Sequence, residues 1–212
     1  MYEQWMPGSG WSLSNVPLEG GKTVYELHEN ECLAMMQIGH ILSRSGALPS
    51  LQGVPCLPEM YQQGTGGNFA VRIDPHSFVG TPQGGDKGNL GPEDFVIFQD
   101  VKWEDRTIFY SGSAGKYVSS DALLMCAAFQ GDSEIRVWVH LHHPYMGAPH
   151  TLKMKYPVIQ EENLQEFLGL VVTGARIINL IDHRLDKVPD GQADSVIFLC
   201  NSMSEVYDFI EA

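Results

Sequence analysis

The sequence predicts an α/β fold in which a central sheet is sandwiched between helices, a three-layer α/β/α arrangement. Short apolar strands alternate along the chain with helical segments. The chain has 212 residues, 43% of them hydrophobic and 18% charged, which is typical of a globular protein and enough for one domain. The sequence contains no internal repeat or low-complexity tract that would favour another architecture.

The N-terminal quarter is predicted to contain an arm, a helix and a loop. Residues 1–29 are rich in glycine, proline and aromatic side chains and are predicted to form an arm, which leaves 30–212 as a single domain. Asn30 is a candidate N-cap for a helix over 31–45. Residues 47–63 include three prolines, so they are predicted to form a loop.

The remainder is predicted to hold six strands and two helices. The predicted strands cover 69–73, 77–80, 95–98, 107–110, 135–141 and 195–199, and the predicted helices cover 122–130 and 164–185. Ser119 or Ser120 is a candidate N-cap for the first of these helices. The strand 135–141 alternates cleanly, so its apolar residues face one side and its histidines the other.

The charge of the chain limits its partners. With 13 basic and 26 acidic residues, the formal net charge is −13. Such a surface repels phosphate backbones and anionic lipid, so neither nucleic acid nor a membrane is expected as a partner. A small anionic ligand remains compatible with this charge because backbone N–H groups alone can hold a phosphate.

The cysteine pattern and the chain start favour a cytoplasmic location. Cys32, Cys56, Cys126 and Cys200 are scattered without a CxxC spacing, so they are predicted to be reduced thiols. The first residues lack the basic and apolar segments of a signal peptide. No apolar run approaches the length of a membrane span.

The strongest chemical signal is His140-Leu141-His142, at the end of a predicted strand. Residues two apart on a strand point to the same side, so two imidazoles can converge on one metal such as zinc. Ends of strands are also where sites of open α/β sheets commonly lie. The alternative interpretation is a pair of hydrogen-bonded or exposed histidines.

Other polar residues are candidates for the same site. Asp121 lies at the start of the preceding helix, where it could complete a coordination shell, act as acid/base or simply cap the helix. Glycine- and serine-rich turns at 64–68, 81–88 and 119–120 could hold an anion through backbone N–H groups. None of them carries a nucleotide-binding fingerprint, and a tight turn is the alternative interpretation.

The order of these motifs resembles the class II aldolase and adducin family. The matching segments are Gly64–Arg72, Thr81–Gly84 with Asp86-Lys87, Leu90–Asp94, Ser119–Asp121 and Val139–His142. The step of 19 residues from Asp121 to His140 is also similar to the family's spacing between an acidic residue and its histidine pair. The resemblance covers about residues 31–143, and it is faint over 165–203.

The resemblance implies a fold, a site and an assembly. The fold would be class II aldolase-like, with a mixed and largely antiparallel sheet. His140 and His142 would bind a divalent metal, usually zinc, and Asp121 would take the acidic catalytic role. The sugar-phosphate shell would consist of Asn68, Gly84, Ser119 and Ser120. Members form tetramers, which implies a homo-oligomer with sites at subunit interfaces.

The sequence also departs from the family pattern. Ser202 is taken to stand where the family has a third histidine, and Gln83 stands where it has a small hydroxyl residue. The chain ends soon after the last predicted strand, without the family's closing helices. His143, His150 and His183 are candidates for a replacement ligand, and no spacing selects among them.

The predicted function is a divalent-metal-dependent lyase, epimerase or dehydratase that acts on a small hydroxy-carbonyl compound, with sugar phosphates as the expected class. The first alternative is a non-catalytic binding or assembly module that has lost the third metal ligand. The second is a hydrolase or oxygenase whose two histidines and one carboxylate form a facial triad, a set that suits iron.

Overall fold

The structure is a computed structural model that describes residues 10–52, 62–142, 156–160, 163–181 and 195–211. The strands of this described part are β1 (Ser12–Asn15), β2 (Asn68–Arg72), β3 (Phe78–Gly80), β4 (Val96–Lys102), β5 (Thr107–Gly112), β6 (Val137–His142), β7 (Val158–Gln160), β8 (Ile177–Ile181) and β9 (Ser195–Cys200). The helices are α1 (Val24–Leu27), α2 (Glu29–Ser45), α3 (Ala122–Gly131), α4 (Leu164–Val172) and α5 (Met203–Glu211), with a short 3₁₀ turn at Glu19–Gly21.

All of these strands belong to one sheet, in the order β1-β5-β4-β3-β2-β6-β9-β8-β7. The pairs β1/β5 and β7/β8 at its two edges are parallel. The pairs between them are antiparallel. The prediction of a mixed, largely antiparallel sheet is therefore confirmed.

The sheet has a hydrophobic core on each face, and helices cover both. One core packs α3 and α4 against side chains such as Ala70, Trp138 and Ile197. The other packs α2 and α5 against the opposite face, through residues such as Phe69 and Val139. This alternation along β2 and β6 gives the three-layer α/β/α sandwich that the sequence predicts.

The predicted helix over 164–185 is wrong from 173 to 181, and its last positions, 182–185, lie outside the described residues. The helix α4 ends at Val172, the turn that follows contains Gly174 with a φ of 91°, and the next element is the strand β8. Residues 177–181 are apolar except for Asn179, and they are mostly buried. Such a run suits a strand covered on both faces, and periodicity alone does not separate it from a buried helix.

Several predicted boundaries also shift. The helix α2 begins at Glu29 with His28 as N-cap rather than Asn30, directly after α1, which has a capping box between Thr23 and Glu26. The N-cap of α3 is Asp121, not Ser119 or Ser120.

Other differences lie at the strands and near the chain ends. Ile135 precedes β6 and packs with the α3/α4 core, so it does not share a face with Val137. The predicted arm contributes β1, which pairs with β5 at the sheet edge. A closing helix that the sequence did not predict, α5, follows β9.

None of the helices in the described part is long and apolar enough to cross a bilayer. Cys32, Cys126 and Cys200 are buried free thiols, and burial raises the pKa of each to about 12. Cys56 lies outside the described residues.

Candidate active site

One cleft collects the polar residues that the sequence singles out. It forms at the end of the sheet where β6 finishes, where β2 begins and where the turn before α3 meets the strands. Every predicted site residue lines this cleft: Asn68, Gly84, Ser119, Ser120, Asp121, His140 and His142. The structure thus brings together side chains that lie up to 74 positions apart in the chain.

His140 and Asp121 form the central pair of the cleft. Nδ1 of His140 lies 2.7 Å from Oδ2 of Asp121, and both side chains are only 2% exposed. A carboxylate can only accept, so Nδ1 carries the ring proton and donates it. The lone pair of His140 is therefore on Nε2, which is the tautomer found in carboxylate–histidine–metal triads.

Asn68 connects this pair to the rest of the cleft. Its Nδ2 group donates to the carboxylate of Asp121 and, at 3.1 Å, to Oγ of Ser119. Its Oδ1 accepts the indole N–H of Trp138 at 2.6 Å. Because β2 and β6 pair with Asn68 opposite His140, the sheet register fixes this network. Because both the nitrogen and the oxygen of the buried Asn68 amide are bonded, this side chain holds its neighbours in one geometry.

His142 lies beside His140 on the same face of β6. Their ring centroids are 4.9 Å apart. A Cβ at Gly66 would come within 3.0 Å of Cδ2 of His142, so only glycine lets the 64–67 turn pack this closely against the ring.

The glycine turns interlock through their backbones. A Cβ at Gly64 would come within 2.0 Å of the carbonyl oxygen of Gly84, and Gly84 itself has a φ of 66°. The N–H of Thr65 donates to the carbonyl of Gly85 at 3.1 Å. The turns that the sequence marks as anion-binding segments are therefore packed against each other at the rim of the cleft.

Lys87 also lines the cleft, although the sequence predicts no role for it. Its side chain is buried, and Nζ donates to the carbonyl of Thr65 at 2.7 Å. Burial lowers the pKa of Lys87 to about 7, although the nearby carboxylates of Asp121 and Asp86 act in the opposite direction. A lysine directly after a glycine-rich turn was the available signal, but only the fold shows that it turns inward.

Trp138 was missed as a contributor, and Gln83, known from the sequence only as a departure from the family pattern, makes a contact that was not predicted. Trp138 lies on the histidine face of β6 and binds Asn68, so the strand alternation already contained the signal. Oε1 of Gln83 accepts the N–H of Ser120 at 2.7 Å, a contact between two distant turns that no sequence pattern indicates.

The position of Ser202 corrects the interpretation of the third ligand. In the β6/β9 pair, His142 is opposite Ser195, whereas Val137 is opposite Cys200. Ser202 follows β9 and so lies at the other end of β6 from the histidines. The strand that runs toward the histidine end is β8, whose Leu180 pairs with Ser195.

The described residues supply two candidate ligands of a divalent ion, which is fewer than a complete coordination shell needs. His140 and His142 supply two ring nitrogens on one wall of the cleft, and neutral imidazole is a common metal ligand. Within the described ranges, no group of three or more histidine, cysteine, aspartate or glutamate side chains is arranged to hold a metal. The further candidates His143, His150 and His183 lie outside the described residues.

The fold and this cleft define a class of protein. Residues 59–189, more than half of the chain, match the family profile described as class II aldolase and adducin N-terminal domain. The chain belongs to the class II aldolase and adducin family. A search of curated proteins found no significant match.

Solved structures show the same fold. YgbL of Klebsiella pneumoniae is 18% identical, with 86% of this chain and 84% of that chain covered and a TM-score of 0.58. L-fuculose-1-phosphate aldolase of Thermus thermophilus is 18% identical over 86% and 90% of the two chains, with a TM-score of 0.53. An aldolase II superfamily protein of Pseudomonas syringae is 10% identical over 89% and 77%, with a TM-score of 0.58.

Proposed function

We propose that this protein is a divalent-metal-dependent lyase, epimerase or dehydratase that acts on a small hydroxy-carbonyl compound. The observation that carries the proposal is the buried Asp121–His140 pair beside His142, at the open end of a class II aldolase-like sheet. Membership of the family supports an enzyme of the aldolase or epimerase type. Zinc is the metal that family resemblance and two imidazole ligands favour.

The proposed metal site consists of His140, His142 and a further ligand outside this pair. A divalent ion bound there would polarise a substrate carbonyl and stabilise the negative charge that develops on its oxygen. Asp121 fixes the ring of His140 through Nδ1, and Asn68 in turn fixes the carboxylate. Such supporting contacts orient a metal ligand and raise its basicity.

The second role proposed for Asp121 is proton transfer. Its carboxylate faces the cleft beside the histidines, and no side-chain bond from Asp121 caps helix α3. A carboxylate in this position can take the proton next to a substrate carbonyl and return it, which typically contributes about 10²–10⁴ in rate. Ser119 and Ser120 complete the wall from which Asp121 projects and would bind substrate hydroxyl groups.

Metal content tests the site directly. Protein purified without a chelating tag is expected to contain about one divalent ion per chain, and His140→Ala and His142→Ala to lose most of it, because removal of one ligand typically weakens binding severely. His40→Ala, which alters an exposed histidine on α2, is the matched control and should keep the metal. The same assay on His143→Ala, His150→Ala and His183→Ala identifies the third ligand.

Hydrogen exchange tests the chemistry. The metal-loaded protein should exchange the carbon-bound hydrogens of dihydroxyacetone with D₂O, followed by NMR, and Asp121→Asn should slow the exchange by roughly 10²-fold or more. Absence of metal in the wild type, even after zinc is added at neutral pH, would contradict the proposal.

Absence of metal from the wild type would favour the alternative function, a binding or assembly module without a metal. The incomplete ligand set in the described part is the observation that supports it. A facial triad for iron is less favoured by the geometry, since Asp121 hydrogen-bonds His140 instead of standing beside it as a third ligand. Iron in place of zinc in the purified protein would support that triad.

A further inference from the structure

We propose that Gln83 closes the cleft to phosphate groups, so that the substrate is a hydroxy-carbonyl compound without a phosphate at this position. The inference deepens the function proposed above and replaces the sugar-phosphate class that the resemblance implies. Gln83 is then a specificity-determining residue. The part of the proposal that concerns anion binding can be tested without the metal.

Gln83 is fixed at both ends to the segment that leads into α3. Its backbone N–H donates to the carbonyl of Tyr117 at 2.9 Å, and its Oε1 accepts the N–H of Ser120 at 2.7 Å. That N–H is a donor that an anion in the cleft would use, because it lies just before the positive end of a helix. The carboxamide oxygen of Gln83 takes this donor.

Several donors in the other turns of the cleft also bind protein oxygens. The N–H of Thr65 binds the carbonyl of Gly85, the N–H of Gly66 binds Pro49 at 2.7 Å, and the N–H of Gly85 binds Pro82 at 3.3 Å. The amide of Asn68 donates to Ser119 and Asp121. These donors of the predicted phosphate shell, with the N–H of Ser120, thus bind the protein's own oxygens.

The charge of the described lining gives phosphate no compensation. Its charged side chains are one cation, Lys87, and one anion, Asp121. Nζ of Lys87 donates to the carbonyl of Thr65, and its charge is offset by Asp121. A phosphate brings about two negative charges and three strong acceptors. A substrate hydroxyl needs only one or two hydrogen bonds, which the hydroxyl groups of Ser119 and Ser120 can supply.

The first test is titration of chelator-treated protein with inorganic phosphate by calorimetry. We expect the wild type to show no saturable phosphate binding in the millimolar range. Gln83→Ser should bind phosphate at least about tenfold more tightly than any residual binding by the wild type, because it frees the Ser120 N–H for a charged acceptor. Gln83→Glu keeps the acceptor and adds a negative charge, so it should bind phosphate no better than the wild type. Gln99→Ser is the matched control, since it removes a glutamine hydrogen bond, to Ser111 at 2.9 Å, far from the cleft.

Submillimolar phosphate binding by the wild type would overturn the proposal, and so would a folded Gln83→Ser variant that gains no affinity. If that variant does not fold, Gln83→Ala, which also frees the Ser120 N–H, takes its place in the titration, and a folded Gln83→Ala that gains no affinity contradicts the proposal.

The second test compares exchange into dihydroxyacetone and into dihydroxyacetone phosphate by the metal-loaded protein. The wild type should prefer the unphosphorylated compound, and Gln83→Ser should shift the preference toward the phosphate by roughly tenfold. Faster exchange of the phosphate by the wild type would contradict the proposal. If neither compound exchanges, the proposed function has failed, and the phosphate titrations still decide the role of Gln83.

Discussion

Asp121 occupies the N-cap position of α3, yet its carboxylate bonds His140 and Asn68 rather than the backbone of the helix. The helix therefore places the carboxylate, and the strand partners hold it in one orientation. Trp138 supports the same network through Asn68, two residues before His140 on the same face of β6. At the scale of single residues, the site is a set of buried polar groups, each oriented by the next.

Lys87 permits a prediction about stability and pH. Its pKa is about 7 in the folded chain and 10.5 in its ordinary environment, and burial is the main cause. Between these values the unfolded chain binds the proton and the folded chain does not, so stability rises with pH across this window. Below pH 7 both states hold the proton, and the full cost of burying the charge remains.

We expect Lys87→Met in metal-free protein to be more stable than the wild type at pH 6, and to lose most of this advantage by pH 10. At 1.36 kcal/mol per pH unit between the two pKa values, the change amounts to about 3–5 kcal/mol. Urea unfolding at a series of pH values measures it. Lys102→Met, at an exposed position, is the control, and a difference for Lys87→Met that does not vary with pH would contradict the buried-cation assignment.

At the scale of elements, close backbone contacts position the cleft. Gly39, in the middle of α2, packs against the carbonyl of Lys87, and the turns at Gly64 and Gly84 touch each other. At the far end of β2, Arg72 donates to the carbonyls of Asp132, Ser133 and Ile135 and so ties this strand to the turn between α3 and β6. These contacts set the distance between the strands and the turns that line the site.

We expect Gly39→Ala to destabilise the protein. The new Cβ would lie 1.9 Å from the carbonyl oxygen of Lys87, which is backbone and cannot rotate away. Overpacking of this kind typically costs about 1–3 kcal/mol, and here it outweighs the gain of about 1 kcal/mol that alanine brings to a helix interior. Thermal or urea unfolding measures the change.

Gly169→Ala in α4 is the matched control for this substitution. Among the described residues, no heavy atom outside the neighbouring backbone of the helix lies within 4 Å of the Cβ that would be added there, so alanine should stabilise the helix by up to about 1 kcal/mol. Equal effects of the two substitutions would show that the close approach at Gly39 does not constrain the fold.

At the scale of the molecule, the sheet brings the site to one of its ends. The ends of β6 and β8 and the beginnings of β2 and β9 meet there, because β6 runs antiparallel to β2 and β9. Both faces of the sheet are covered by helices, so the open ends of its strands are where a ligand can approach. Leu168 and Val172, one turn apart on α4, are large apolar side chains that remain exposed in the single chain.

The family resemblance leads us to expect a tetramer. Four chains of 23.5 kDa give a mass of about 94 kDa, which light scattering coupled to size exclusion measures at micromolar concentration. Exposed apolar side chains such as Leu168 and Val172 are candidates for burial in such an assembly, and burying them would favour it. A single species of 23.5 kDa would contradict the expectation.

The sequence predicted most elements because their patterns are local. The alternation along β6 and the helical pattern of α2 depend on near neighbours, so both were found with shifts of a few residues. The pattern failed where burial on both faces removes periodicity, as in β8, which was predicted as helix. It also failed at Ser202, because position after a strand does not say which end of the sheet that strand reaches.

By itself, the sequence determined the class of fold and the histidine pair on one face of β6, which follow from residue type and spacing, and it indicated the other candidate site residues through the family resemblance of its motif order. Only the tertiary structure decided how those residues combine: the bond of Asp121 to His140, the inward turn of Lys87 and the contact of Gln83 with Ser120. The physical reason is that each of these depends on burial and on partners 19 to 37 positions away, which chain packing selects and local sequence does not encode.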